Sequence, residues 1–223
     1  MTSADTHERH SDRFVRRVTE QCRRDRGRRA ALRRGLRRPP EQAPTMHAVV
    51  APLLPPTVTG DHEYAYYAVA AMIAASVRDG QSTGSAEDDD SDDGGEGVAA
   101  EATRPSPDDG SRPARPDLGT SLAWAVCRPG RGRRPMSAAT AEKRLHLLVR
   151  QGYPAVHQQL AGVVRHLDVI DVPVNWAQLI DDLCEWRRHR DRVAKRWLQS
   201  YYRTLHNAER RAAQSNPSLE EHA

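Results

Sequence analysis

Lysine, phenylalanine and cysteine are scarce in this sequence, and no apolar run is long. The three cysteines, Cys22, Cys127 and Cys184, are odd in number and far apart, which argues against a disulfide framework and a zinc site and is typical of a reducing compartment. The longest apolar run, residues 64–77, has 14 residues. Because a membrane span needs about 20, this run predicts a core helix. With 38% hydrophobic residues and one phenylalanine, we expect a sizeable part of the chain to lie outside any core.

Motifs for catalysis and for phosphate-binding loops are also absent from the sequence. There is no HExxH, no GxxxxGKS/T and no GxGxxG. Asp181 and Asp182 are neighbours, so on a helix their side chains point about 100° apart and do not form a carboxylate pair. We therefore predict a protein that is not an enzyme and has no metal site, no cofactor and no small-molecule substrate. The polar N-terminus, without an apolar segment, predicts a cytoplasmic protein with no membrane partner.

The net charge of +4 is divided into blocks of opposite sign along the chain. Residues 1–50 hold 13 arginines and 6 acids, a net charge of +7, and residues 118–223 hold 17 basic side chains and 10 acids, again +7. Between them, residues 79–117 have a net charge of −9 and are rich in Asp, Gly, Ser and Pro. This composition predicts a disordered acidic linker. Its acids either act as a solvating tether or imitate a nucleic acid and screen the basic faces.

Outside the linker the hydrophobic periodicity is helical, and no strand is predicted. We expect an all-α protein, a helical bundle of about eight to nine helices in two units joined by the linker. The N-terminal basic unit is residues 1–78, and the C-terminal unit is residues 118–223, with a basic loop and a frayed tail. The apolar stripes behind this prediction are Phe14/Val18/Cys22, Leu32/Leu36, Met46/Val49/Val50/Leu53/Leu54, Ala138/Ala141/Leu145/Leu148, Val156/Leu160/Val163/Val164/Leu167, Ile180/Leu183 and Val193/Trp197/Tyr201/Leu205.

Capping residues predict where several helices begin. Asp61 is the expected N-cap of the helix over 64–77, and Ser137 is the expected cap of the helix that follows the basic loop. Asn175 and Gln178 have capping-box spacing, so a helix is predicted to begin at Trp176. A short helix is predicted over 121–127. The helical spacing of the aromatic residues favours core packing over base stacking, which applies to Trp176, Trp186, Trp197, Tyr201 and Tyr202.

Two arginine-rich stretches predict contacts with a polyanion. The first follows a break at Gly27, where a helix over 28–38 leaves most of its circumference to arginine. The second is the loop "RPGRGRRP" with the helix after it, on which Lys143 and Arg150 share one face. Like charges this dense repel one another, so they favour nucleic-acid backbone contacts without sequence reading. These contacts are predicted for Arg33, Arg34, Arg37, Arg131, Arg133, Arg134, Lys143 and Arg150.

The order of motifs resembles that of the CasB family, the small subunits of the type I-E CRISPR surveillance complex Cascade. The resemblance covers residues 10–78 and 118–205 and rests on "RAALRRGLRRPPEQAP", "SLAWAV", "AEKRLHLLVR" and "VPVNWAQLIDDLCEW…VAKRWLQSYY". It implies a non-catalytic all-α subunit, present in two copies, whose partners are other Cascade subunits and the backbone of guide RNA and target DNA, and which helps to hold the R-loop open. By motif position it implies contacts from Arg33, Arg34, Lys143, Arg144 and Arg150.

The chain departs from the family pattern at two places. Trp124 stands where the family usually carries an arginine. Ala161 and Gly162 stand where the family carries a basic pair, and Arg165 lies one turn later, so the resemblance implies a contact from Arg165 instead.

Two other functions are compatible with the same sequence. A helix-turn-helix regulator would read bases with a recognition helix and would bind a palindromic site. A helical adaptor with no nucleic-acid role would use its arginines for solubility or for acidic partners. Binding to any nucleic acid at low salt separates the adaptor from the other two functions, and a preferred DNA sequence separates the regulator.

Overall fold

The computed structural model describes residues 9–77, 115–130 and 132–215. The helices in these ranges, α1 to α8 in chain order, are His10–Arg24, Arg26–Arg34, Pro44–Val50, Asp61–Ser76, Leu118–Cys127, Ala138–Val149, Ala155–Val169 and Trp176–Ser215. Single 3-10 turns over Pro40–Gln42 and Ala51–Leu53 flank α3. The all-α prediction is confirmed, and the described residues contain no strand. Apart from residues 115–117, the predicted linker lies outside the described residues.

The first two helices bury the apolar stripes that the sequence predicts. Phe14, Val18 and Cys22 on α1 are at most 1% exposed. The break between α1 and α2 lies at Asp25 and not at Gly27. The cause is the Asp25 carboxylate, which accepts a hydrogen bond from the Arg28 amide at 3.0 Å and so begins a new helix one residue later.

Two helices begin at a different residue from the predicted one. The N-cap of α4 is Gly60, whose φ of 60° lies outside the helical region, so Asp61 is the first helical residue and not the cap. α5 begins at Leu118, earlier than the predicted 121–127, because Asp117 accepts hydrogen bonds from the amide and the hydroxyl of Thr120 at 3.0 and 3.1 Å. The acidic segment therefore supplies the cap of the next helix.

The predicted caps of α6 and α8 are confirmed. The Ser137 hydroxyl accepts from the Thr140 amide at 3.2 Å, and the Asn175 side chain accepts from the Gln178 amide at 3.1 Å. The Gln178 side chain does not complete a capping box, because it donates to a buried carboxylate one turn later. On α6, Ala138 is exposed and not buried as predicted, because it lies in the first turn, before the helix reaches the core.

α8 joins two predicted helices into one element of 40 residues with a kink at His189 (φ −134°, ψ 35°). No proline or glycine occurs in residues 176–215, so the sequence contains no residue that ends the helix there. Trp186 and Trp197 lie on either side of the kink, fully buried, with their ring centroids 4.9 Å apart. Core packing is thus confirmed for these two residues and Tyr201, whereas Tyr202 is 44% exposed.

Helices from both sides of the linker share one hydrophobic core. The described helices before and after it belong to one compact unit. α4 buries residues on every side, and it contacts α1 and α2 as well as α7 and α8. The two predicted helical units are therefore parts of one structural unit, because a helix that is apolar all round needs both segments to cover it. Within the described ranges, no helix is both long and apolar enough to cross a membrane.

His157 on α7 is a buried histidine. Its side chain is 2% exposed and stacks on Tyr64, with 4.3 Å between the ring centroids. Nδ1 lies 3.3 Å from the Pro154 carbonyl oxygen, which accepts a hydrogen bond from it. Burial lowers the pKa of His157 to about 4, because the apolar surroundings disfavour the charged ring.

Lowering the pH from about 7 to about 5 should cost about 2 kcal/mol of unfolding free energy through His157. The unfolded chain takes up a proton near the ordinary pKa of 6.5 while the folded chain stays neutral, so this stability is lost as the pH falls from 6.5 towards 4. His157→Phe keeps a stacked ring and removes the titration. Urea unfolding at both pH values should show a smaller pH dependence for the variant, since all other titrating groups cancel in the comparison. An equal pH dependence would contradict the prediction.

Candidate nucleic-acid interface

The first predicted contact residues lie at the end of α2 and in the turn after it. The predicted helix over 28–38 is wrong at both ends, because α2 spans Arg26–Arg34. Gly35 is its C-cap, and it packs so tightly on α3 that any side chain there would collide with Met46. Arg33 and Arg34 are exposed in the last turn of α2, and Arg37 is exposed beyond it, with a φ of 66°.

The turn after α2 brings Arg37 against α7. Its Nη2 atom lies 3.2 Å from the position that a Cβ on Gly162 would occupy. Glycine at this position therefore leaves room for the guanidinium group. The positive charge beside Gly162 therefore comes in part from a residue far away in sequence.

A groove of about 420 Å³ runs between α2, α4 and α7. Arg33 from α2 and Arg165 from α7 both line it, and both are exposed. Its apolar lining comes mainly from Leu36, Met72, Ala75, Ala161, Val164 and Val169. One carboxylate, Asp168, also lines the groove. The fold thus brings two predicted contact residues, one from before and one from after the acidic linker, to one groove.

α6 places more predicted contact residues next to α7. α6 contacts α7, and the pKa of His166 on α7 is lowered by burial and by the positive charge of Arg144 on α6. Lys143 and Arg150 are both exposed on α6, as their spacing predicts. No described contact joins Lys143 or Arg150 to the groove.

The basic loop between α5 and α6 is held at both ends by backbone hydrogen bonds. The Gly130 amide donates to the Ile170 carbonyl and the Met136 amide donates to the Ala125 carbonyl, both at 2.9 Å. Arg133 and Arg134 are exposed between these anchors. The predicted contact residue Arg131 lies outside the described residues.

The predicted contact residues differ from many other arginines in having no carboxylate partner. Nine of the predicted contact residues lie within the described ranges, which is all of them except Arg131. None of these nine forms an ion pair with a carboxylate in those ranges. By contrast, ion pairs join Arg9 to Asp181, Arg24 to Glu20, Arg28 to Asp25, Arg115 to Asp12 and Arg196 to Asp182. Eight of these side chains are exposed and Arg144 is half-buried. Their positive charge is not neutralised locally, which leaves it available to a polyanion.

A further basic cluster at the kink of α8 was missed in the sequence. A pocket of about 570 Å³ there is lined by residues 186–192 together with Gly152 and Tyr153. The signal was present, since "RRHRDR" holds four arginines and one histidine in six residues. Part of this charge is neutralised, because Arg187 pairs with Asp61 and Arg190 with Asp191. Arg188 and Arg192 are exposed.

The remaining polar clusters have structural explanations. Among the described residues, no group of three or more histidine, cysteine or acidic side chains is placed to hold a metal ion. Asp181 and Asp182 point to different partners, Arg9 and the buried Trp197 indole respectively. Trp124 is half-buried and packs against the core.

Comparison with solved structures finds similar folds. A chain in a structure described as a CRISPR RNA-guided surveillance complex is 35% identical, with a TM-score of 0.69, and the match covers 91% of this chain and 97% of that one. A chain in a second structure, described as such a complex in a pre-nicking state, is 34% identical, with the same TM-score and the same coverage. The CasB protein of M. ruber has the same fold, with a TM-score of 0.61 at 21% identity, and the match covers 95% of this chain and 99% of that one.

Comparison with protein families gives the assignment. A comparison with curated proteins finds no match. The model of the family described as CRISPR-associated protein Cse2 matches residues 28–202, which is more than half of the chain. This range contains most of α2, all of α3 to α7, the groove and most of α8. The chain therefore belongs to the CRISPR-associated Cse2 family, also called CasB.

Proposed function

We propose that this protein is a non-catalytic small subunit of a CRISPR RNA-guided surveillance complex that binds nucleic-acid backbones without sequence preference and stabilises the R-loop. Its partners are the other Cascade subunits, a second copy of itself, and the backbone of guide RNA and target DNA. Family membership and the 35% identity to a chain of such a complex support the assembly.

One observation carries the nucleic-acid role, namely the set of exposed basic side chains with no carboxylate partner. Arg33 and Arg165 line the α2–α4–α7 groove although they come from distant parts of the sequence, and Arg37 lies against Gly162 of α7. A strand backbone that neutralises such charges releases its counterions, which makes binding favourable. The other proposed contacts are Arg34, Arg131, Arg133, Arg134, Lys143, Arg144 and Arg150.

The chemistry of these side chains favours backbone contact over base reading. Arginine and lysine bind phosphates as well as bases, and base reading at several positions also needs asparagine, glutamine or carboxylate side chains. Among the described residues, no asparagine or glutamine lines the groove, and its one carboxylate is Asp168. Exchange of a DNA duplex for an RNA–DNA duplex is close to balanced, so a few phosphate contacts are enough to shift it.

Reversing two groove charges should weaken binding to single-stranded DNA by about 25-fold at about 0.1 M salt, since each lost phosphate contact on a single strand removes about 0.7 log unit. The variant is Arg33→Glu with Arg165→Glu, and the slope of log K against log salt should fall by about 0.7 for each arginine. Fluorescence anisotropy across a salt series on several DNA sequences measures both quantities. The matched control is Arg23→Glu with Arg24→Glu, which makes the same charge change on the exposed end of α1.

The same variants test the role in the assembled complex. Reversal of the groove charges should shorten the lifetime of the R-loop and leave assembly with the other subunits intact, whereas the α1 control should leave both unchanged. A salt-independent affinity would contradict the proposal, and so would an equal loss in both variants. Binding to one preferred sequence would indicate a helix-turn-helix regulator, and no binding at low salt, alone or in the complex, would indicate an adaptor.

A further inference from the structure

The acidic part of the chain begins at the rim of the basic groove. Ala75 and Ser76, the last residues of α4, line the same groove as Arg33 and Arg165. The described chain ends there at Val77. The sequence between the described ranges, residues 78–114, contains 11 acids and three arginines.

The charges of the groove and of this sequence are complementary. Arg33 and Arg165 line the groove with one carboxylate, Asp168, and Arg37 lies against Gly162 of α7. None of the three arginines forms an ion pair with a carboxylate of the described residues. Residues 87–96, "EDDDSDDGGE", place seven acids in ten positions, a charge density comparable with that of a nucleic-acid strand.

We propose that the acidic run 87–96 of this chain binds in the α2–α4–α7 groove and competes there with nucleic acid. Only the competition rests on the proposed function, because binding of the run in the groove follows from the groove and the sequence alone. Glu87 is ten residues from Val77, and ten residues reach at most about 35 Å, which is ample for a groove that starts beside Ser76.

The covalent connection makes weak binding effective. Two sites joined by a short stretch of chain have an effective concentration on the order of millimolar. A run with a dissociation constant of about 0.1 mM would therefore occupy the groove about 90% of the time and weaken competing ligands about tenfold. Binding of nucleic acid outside the complex would then be disfavoured. A strand presented at high local concentration inside an assembled complex would displace the run.

Cross-linking tests the contact itself without any nucleic acid. Arg165→Lys keeps the charge and gives the groove an amine, and a carbodiimide couples amines to nearby carboxylates. Mass spectrometry of the full chain should find this amine joined to residues 87–96 at low salt, and less of the product at high salt. Arg23→Lys, on α1 and outside the groove, is the matched control. Absence of the cross-link, or an equal yield from the control, would overturn the proposal.

Neutralising the run tests the competition. Single-stranded DNA should bind about tenfold tighter at about 0.1 M salt once the seven acids are replaced by amides. This gain should vanish when Arg33→Glu and Arg165→Glu are added, because neither the acidic run nor the DNA can then bind in the groove. A gain that persists in that background would contradict binding in the groove. The two proposals can be told apart: DNA binding without the cross-link removes only this inference, whereas the cross-link without DNA binding removes the proposed function and the competition but leaves binding of the run in the groove. The seven substitutions are Glu87→Gln, Asp88→Asn, Asp89→Asn, Asp90→Asn, Asp92→Asn, Asp93→Asn and Glu96→Gln.

Discussion

Replacing Asp182 by alanine should lower the free energy of unfolding by about 3–5 kcal/mol. The side chain is 0% exposed on α8 and accepts hydrogen bonds from Trp197 Nε1 at 2.6 Å and from Gln178 Nε2 at 2.8 Å. It also pairs with the guanidinium of Arg196. The variant would leave the indole N–H of Trp197 buried without an acceptor, and an unsatisfied buried donor bears its full desolvation cost. Equilibrium unfolding in urea measures the loss.

The neighbouring carboxylate provides the control for this variant. Asp181 pairs with Arg9 at 3.1 Å, and both side chains are partly exposed, so Asp181→Ala should cost no more than about 1 kcal/mol. Burial raises the pKa of Asp182, and the indole and Arg196 oppose this rise, so the environment of this carboxylate depends on all its partners. Similar losses for the two alanine variants would show that the buried network does not carry the stability assigned to it.

The sequence was sufficient to predict those features of the structure that depend only on neighbouring residues along the chain. Ser137 and Asn175 cap their helices as predicted, because a cap needs only a side-chain oxygen and an amide three residues later. The stripe of Phe14, Val18 and Cys22 is buried as predicted, because helical periodicity alone places these residues on one face. Asp25 shows the limit of this reasoning, since the sequence predicts the break at Gly27 and a capping carboxylate two residues earlier ends α1.

The composition of the candidate site could not be predicted, because it depends on contacts between distant residues. Exposed arginines that pair and those that do not look alike in the sequence: Arg187 pairs with Asp61 across 126 positions, whereas Arg165 has no carboxylate partner among the described residues. The approach of Arg37 to Gly162 is another such contact, since neither residue carries a local signal for it. The sequence predicts basic side chains on separate helices. Only the packing of α2 and α7 with α4 brings Arg33 and Arg165 to one groove.

Replacing Gly119 by alanine should lower the free energy of unfolding by about 3 kcal/mol, although alanine is the better helix former. A Cβ at this position would overlap the Trp197 carbonyl oxygen and lie 2.7 Å from its carbonyl carbon. The gain in helix propensity is only about 1 kcal/mol, and the clash is with backbone, which no rotamer change relieves. α5 and α8 would have to move apart in a part of the core where Trp197 is fully buried.

Gly152→Ala is the matched control, since a Cβ there meets nothing within 4 Å and the backbone is not left-handed. It should leave stability unchanged or raise it by up to about 1 kcal/mol, because alanine restricts the unfolded chain. The two glycine variants should thus shift urea unfolding in opposite directions, and a loss of equal size in both would contradict the close approach at Gly119. The effect also bears on the interface. The loop that carries Arg133 and Arg134 is anchored on α5 through Ala125, so a displaced α5 should weaken nucleic-acid binding even though Gly119 itself is buried.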